Sequence, residues 1–323
     1  MIDILVRAYT PLILWTGLGA LALRFLPKTV PRLLGRSLYW VGVPWQIFAL
    51  ARQTDFSTNF GLVPVITIAT IVTGLLIAWI VLQSVIWMQQ HAETKGWTWV
   101  ETWTPTLNSA TKGTFIIAAT IGNTGFVGLG IIPTLLHNDD LSWAVFFSVT
   151  QNLIGTYGIG VLIASYYGHS DEPNSIRKLL KNLLTVPSLW AFAISYLTQT
   201  VAFPDWGEMI VESSLLLVVP ASFLLMGMRL IQLNGLQSLK AATIPVMLKI
   251  LVLPTLVGIG TTLIGLTGDA RLSLVLMAGM PSAFAGLILA EEYNLDRELA
   301  ASSIAFSTIG ILVVIPIWLS LLG

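Results

Sequence analysis

Two short stretches hold the residues best suited to handling a ligand. Ile121-Gly122-Asn123-Thr124-Gly125-Phe126-Val127-Gly128-Leu129-Gly130 sets an amide and a hydroxyl among four glycines, and Gly279-Met280-Pro281-Ser282 sets a hydroxyl just after a proline in an apolar run. Proline lacks an N–H, and glycine is about 1 kcal/mol worse than alanine inside a helix, so breaks are expected at Gly122, Gly279 and Pro281. Thr124 and Ser282 can each cap a restarting helix by accepting a bond from an amide two or three residues on. Each start carries about half a positive charge in partial charges, so two starts meeting in mid-membrane attract an anion, typically a carboxylate, without a formal charge in lipid. This is chemistry of binding, not of bond-making. The competing reading makes the glycines a small-residue packing face. A dinucleotide fingerprint fits poorly, since no strand precedes the glycines and their spacing differs.

Other polar residues extend the candidate site. Gln151 and Asn152 fall in the first half of an apolar run, where a buried amide either lines a cavity or bonds a neighbouring helix. Ser307 and Thr308 hold a similar place in the last run, and Gly125 and Met280 adjoin the two breaks. Lys249 is the charge set deepest within one of the apolar runs given below. With the apolar run counted from 243 it lies near one end, where it can snorkel to the headgroups. Glu291, Glu292 and Asp296 read as a solvated acidic turn. The chain has no cysteine, and its three histidines, His91, His137 and His169, fall in predicted connections, which argues against disulfides, thiolate metal sites and Cys-His catalysis. No metal or cofactor is called for, and a net charge of zero offers no basic surface for nucleic acid.

The elements that position these residues must lie in a membrane. Apolar residues make up 55% of the 323, charged residues 10%, and mean hydropathy is +0.82, outside the range of soluble domains. Apolar runs long enough to cross a hydrocarbon core of ~30 Å fall near 8–26, 37–53, 61–86, 113–136, 141–167, 182–201, 212–232, 243–266, 271–291 and 300–321. The expected fold is therefore an all-α polytopic membrane protein of ten transmembrane helices. The first run is too long for a cleaved signal peptide and lacks a small-residue cleavage site, so it should stay as helix one. Twelve of the sixteen Lys and Arg residues lie in alternate connections: Arg24, Lys28, Arg32, Arg36, Lys95, Lys112, Arg177, Lys178, Lys181, Arg229, Lys240 and Arg297. By the positive-inside rule both termini face outward across the cell membrane. The longest connection, 87–112, carries Trp97, Trp99 and Trp103 and reads as a segment at the inner interface.

An internal repeat is also visible. A shift of 158 positions brings Thr124 onto Ser282, Phe126 onto Phe284, Gly128 onto Gly286, Leu129 onto Leu287 and Thr150 onto Thr308, and a shift of 176 brings Pro44 onto Pro220. Five helices per copy invert the second copy. The division is 1–167, a short cytoplasmic connection at 168–181, and 182–323, with helices four and nine broken and crossing.

Gly122 through Leu129, together with Met280-Pro281, Tyr293, Asp296, Leu299-Ala300, Ser307-Thr308 and Pro316, resembles the signature helices of the auxin efflux carrier family, which includes bacterial permeases. Val43-Pro44, Gln151-Asn152-Leu153, Pro220 and Lys249 through Pro254 sit where that family has similar residues. The resemblance implies a secondary carrier for a small organic anion, auxin-like or dicarboxylate, with a scaffold of helices one, two, six and seven that dimerises. The remaining helices would form a transport domain that moves in an elevator-like or rocking manner. The candidate binding residues are those read above from the breaks and the polar positions, Asn123, Thr124, Gly125, Gln151, Asn152, Met280, Pro281, Ser282, Ser307 and Thr308. Two departures stand out. The 61–86 run has no acidic residue where plant carriers place one, and the long central insertion of many plant members is missing. The coupling ion stays open between proton and sodium. The rivals are a membrane receptor that binds the same ligand without moving it, and an intramembrane lipid-modifying enzyme, which would need clustered acids or histidines at one face.

Overall fold

The computed structural model describes residues 2–27, 29–52, 61–97, 104, 107–136, 141–168, 187–232 and 237–322. Regular structure among them is helical. Five stretches of the described residues are long and apolar enough to cross a membrane: Leu62–Ala92, Leu141–Tyr167, Met209–Ile231, Leu239–Leu263 and Arg297–Leu322. Tyr9–Ala22 and Thr124–Leu135 are shorter apolar helices. The runs at 113–136 and 271–291 each fold as two pieces, as the Gly and Pro positions require.

In chain order the helices are α1 (Ile2–Ala22), α2 (Val30–Ser37), α3 (Val43–Arg52), α4 (Leu62–Lys95), α5 (Ser109–Thr120), α6 (Leu129–Leu135), α7 (Leu141–Thr150), α8 (Val161–Tyr167), α9 (Pro187–Leu197), α10 (Asp205–Ile231), α11 (Gln237–Met247), α12 (Leu253–Leu263), α13 (Gly268–Ala278), α14 (Phe284–Glu292) and α15 (Arg297–Leu322). Among the described residues, the π-helical segments Leu38–Gly42, Thr124–Gly128, Gln151–Gly160 and Leu248–Val252 join α2 to α3, lead into α6, join α7 to α8 and join α11 to α12. Such insertions are frequent at functional sites.

The helices sort into two groups. In one, α1 packs along α10, and α3 lies between α9 and α10. Glycines set the α1–α10 distance: a Cβ on Gly19 would lie 2.0 Å from Leu224 O, and one on Gly227 1.8 Å from Thr16 O. Without a hydrophobic drive between helices in lipid, such close backbone contact is how they hold together. Arg52 closes the end of α3 by donating to Thr198 O at 2.6 Å and Val201 O at 3.0 Å, with its guanidinium 3.8 Å above the Phe203 ring. In the other group, α11 packs on α15, α12 on α13 and α4 on α5. Exposed apolar side chains such as Val65, Trp79, Ile80, Ile259 and Val313 give this group the outer surface that lipid requires.

Two local expectations change. His91 is not in a connection, because α4 runs on to Lys95; its Nδ1 lies 2.8 Å from Trp87 O. His137, His169, Trp99 and Trp103 lie outside the described residues, as does all of the 168–181 connection except Gly168. Asp296 is not a solvated turn residue but a clasp between α5 and α15. Its Oδ1 accepts from Leu299 N at 2.9 Å at the start of α15, its Oδ2 accepts from Thr111 Oγ1 at 2.9 Å, and its backbone N donates to Thr114 Oγ1 at 3.1 Å. A lost helix cap alone costs about 1 kcal/mol, and the lost bond across to α5 adds up to about 1 kcal/mol more, Thr111 Oγ1 keeping Asn108 Oδ1 as a partner at 3.0 Å. Asp296→Ala is therefore expected to lower the melting temperature of purified protein by several degrees, measured by nanoDSF, whereas Glu292→Ala, exposed on the same turn, should leave it unchanged.

Candidate ligand site at the helix crossing

The broken helices meet back to back. Between α5 and the π-helical turn at Thr124, residues Ile121 to Asn123 run non-helically, and between α13 and α14 so do residues Gly279 to Ala283. Gly122 and Ser282 pair as an isolated antiparallel bridge. Asn123 N donates to Pro281 O at 2.6 Å and Ala283 N to Ile121 O at 3.0 Å. The groups freed by each break are thus satisfied by the other, the condition for irregular backbone at membrane depth.

Side chains complete the frame. Ser282 Oγ donates to Ala118 O at 2.8 Å, and Ser282 N donates to Ser307 Oγ at 3.0 Å, which itself donates to Ser303 O at 2.5 Å. Gln151 Nε2 donates to Gly122 O at 3.0 Å. These residues are consumed by the crossing itself. The capping roles differ from expectation. Asn123, not Thr124, caps the restart of the first break, its Oδ1 accepting from Phe126 N at 3.2 Å. Asn, like Thr, is a strong N-cap, and Asn123 sits one residue closer to the break. Ser282 does not cap α14, whose N-cap position is Ala283 with no side-chain bond, because its hydroxyl is turned to Ala118 O.

Thr124 is left buried with its Oγ1 unpartnered. Beside it lies a cavity of about 70 Å³ lined by Gly122, Asn123, Thr124, Gly125, Asn152, Tyr157 and Phe284 among others. Both helix starts, at Thr124 and at Phe284, border it. Phe126 and Phe284 meet edge-on over it, ring centroids 6.3 Å apart. Arg229, at the end of α10, lines this cavity and also a wider one of about 290 Å³ that carries Glu291, Arg297 and Glu298. Arg32 approaches Glu291 to 4.0 Å at the rim.

Of the residues singled out in the sequence, Gly122, Asn123, Thr124, Gly125 and Asn152 line the cavity. Gln151, Pro281, Ser282 and Ser307 are not in its lining and bond within the crossing instead. Met280 is buried against the Gly128 backbone, and Thr308 donates to Met226 Sδ at 3.6 Å. Sequence reasoning missed Tyr157, which carried no signal, and Phe126 with Phe284, whose correspondence in the 158-residue shift was the signal. It also misplaced Lys249. That side chain is not near an end: it is fully buried, and its Nζ donates to Ala278 O at the second break.

A helical membrane protein whose interrupted helices border a largely apolar cavity carrying Asn123, Thr124, Asn152 and Arg229 has the build of a multi-pass membrane transport protein. The profile of the membrane transport protein family matches residues 96–319, and the chain belongs to that family, the auxin efflux carrier family its motifs resemble. It is 27% identical over 293 residues to an uncharacterized transporter of Methanothermobacter thermautotrophicus, an alignment covering 88% of this chain and 87% of that protein. It is 26% identical over 211 residues, 64% of this chain and 67% of the other, to an uncharacterized transporter of Methanocaldococcus jannaschii.

Proposed function

We propose that the protein is a secondary transporter that moves a small organic anion, an auxin-like carboxylate or a dicarboxylate, across the cell membrane by alternating access. The observation that carries this reading is the pair of helix starts at Thr124 and Phe284 bordering one cavity, with the Thr124 hydroxyl buried there and unpartnered. A buried hydroxyl without a partner costs about 1–3 kcal/mol, and a ligand oxygen would relieve it. The helix starts supply positive potential, poorly screened at that depth. Arg229, shared by the small cavity and the wider one, gives an anion a route between them.

The proposed architecture is ten spans in two inverted five-helix repeats, 1–167 and 182–323, supported by the reciprocal bonds between the breaks and by the facing of Phe126 and Phe284. The α1, α3, α9 and α10 group is the scaffold and the group around α4, α5 and α11 to α15 the moving domain, in an elevator-like step. A homodimer forms through the scaffold, whose apolar groove of about 700 Å³ between Trp40, Trp45, Phe203 and Trp206 offers a face for a second copy. Both termini face outward, so the charged rim of Arg32, Arg229 and Arg297 is cytoplasmic.

The test compares a carboxylate ligand with its methyl ester by calorimetry on purified protein. The carboxylate should bind at least about tenfold more tightly, the difference expected from a charge-assisted hydrogen bond. Equal or tighter binding of the ester would remove the anion reading even if the protein moves the compound. Counterflow of labelled ligand in proteoliposomes separates this reading from a receptor.

A further inference from the structure

The buried lysine has no part in the scheme above, yet it lies at the centre of the crossing. Lys249 sits in the π-helical segment Leu248–Val252, and none of its surface is exposed. Its Nζ donates to Ala278 O, the last carbonyl of α13. On its other side is the first break: a Cβ on Gly122 would lie 2.9 Å from both Lys249 Nζ and Cε and 3.1 Å from Gln151 Nε2. Gly122 also lines the small cavity. The ammonium thus touches the carbonyl end of one half-helix and the backbone of the other break, one residue from the cap residue Asn123.

Its partners are unusual. The ion pair formed among the described residues joins Arg32 and Glu291, so no carboxylate there offsets Lys249. A buried charge without a counter-ion is expensive and persists only where something compensates it. Here a helix C-terminal carbonyl, bearing about half a negative charge with its neighbours, supplies part of the compensation. Such half-helix carbonyl ends are where transporters with broken helices bind a coupling cation.

We propose that the Lys249 ammonium is the resident cation of the crossing: it holds the carbonyl end of α13 in place of a bound sodium ion, and it is the counter-charge of the transported anion. The loaded site is then neutral without a co-transported cation, and anion binding is independent of sodium. This rests on the anion-carrier reading for its second half, while the first half stands on the α13 carbonyl alone.

The experiment has two arms on purified full-length protein. In the first, without carboxylate, melting is followed while sodium chloride or ethylammonium chloride replaces N-methylglucamine chloride at constant ionic strength. Wild type should not respond, whereas Lys249→Ala, which vacates the cation position, should be stabilised by one of the two small cations. In the second arm, indole-3-acetate and succinate are titrated into wild type and Lys249→Met with and without sodium. Whichever probe wild type binds should bind with the same affinity in either salt and at least tenfold more weakly to Lys249→Met.

Stabilisation of wild type by sodium, or a tenfold gain in wild-type affinity on adding it, overturns the proposal, as does unchanged affinity in Lys249→Met. If the variants do not fold, the wild-type sodium titrations still decide, insensitivity supporting the proposal. If wild type binds neither carboxylate, the anion reading and the counter-charge role fail together, while the first arm still tests the resident-cation role by itself.

Discussion

Asn123→Ala is expected to cut uptake of the transported anion by at least about tenfold while leaving the yield of monodisperse protein nearly unchanged. The side chain's contribution to the fold is one cap bond, from Phe126 N to Oδ1, worth about 1 kcal/mol. The bonds that fasten the crossing here belong to the Asn123 backbone, which donates to Pro281 O and accepts from Val127 N and Gly128 N at 3.3 and 3.1 Å, and alanine keeps all three. What alanine removes is an amide lining the small cavity. A hydrogen bond to a charged ligand is worth about 1.5–3 kcal/mol, or roughly 10- to 150-fold in affinity. Uptake at the wild-type rate would take Asn123 out of the site. Loss of folded protein together with uptake would make it a packing residue.

The second large effect lies in the packing of α10 on α1. Gly227→Val should abolish most folded protein, because even the first carbon of the new side chain would fall 1.8 Å from Thr16 O and 2.9 Å from Ala20 N. Those are backbone atoms of α1, so no rotamer change relieves the clash and the two helices must separate. Overpacking typically costs about 1–3 kcal/mol, and here Gly19 makes the reciprocal contact with Leu224 O in the same interface. Fluorescence-detected size exclusion is the measurement, with Gly17→Val on α1, whose Cβ meets nothing within 4 Å, as the control on the partner helix. Equal profiles for the two variants would mean that α1 and α10 are not held by this contact.

Much of this was legible because broken helices advertise themselves. Pro281 removes a donor, and the glycines around Asn123 weaken the helix, so both breaks were placed from the sequence. Membership of the family was readable from the same residues, and residues 96–319 match it. The division of labour within the site was less readable. Ser, Thr and Asn can all cap a helix, and only the paths of the two chains decide that Asn123 caps, that Ser282 reaches across to Ala118 O, and that Thr124 is left over. Lys249 shows a different failure. An apolar run counted from 243 puts it near an end, but the span begins at Leu239, amid polar residues that hydropathy discounts. Ten residues at 1.5 Å each place it about 15 Å deep, beyond the reach of a snorkelling side chain. Asp296 was misjudged because its partners, Thr111 and Thr114, are remote in sequence.

The reciprocal bonds of the crossing bear on how the chain is made. Ile121 O and Asn123 N find their partners in Ala283 and Pro281, which are about 160 residues later in the sequence. At a synthesis rate of about 5–20 residues per second, those partners emerge roughly 8–30 seconds after the first break has left the ribosome. Through that interval the N-terminal half holds exposed polar backbone that lipid cannot satisfy. The nascent protein therefore depends on the insertion machinery, or on water held there, to shelter residues 121–123 until the C-terminal half arrives.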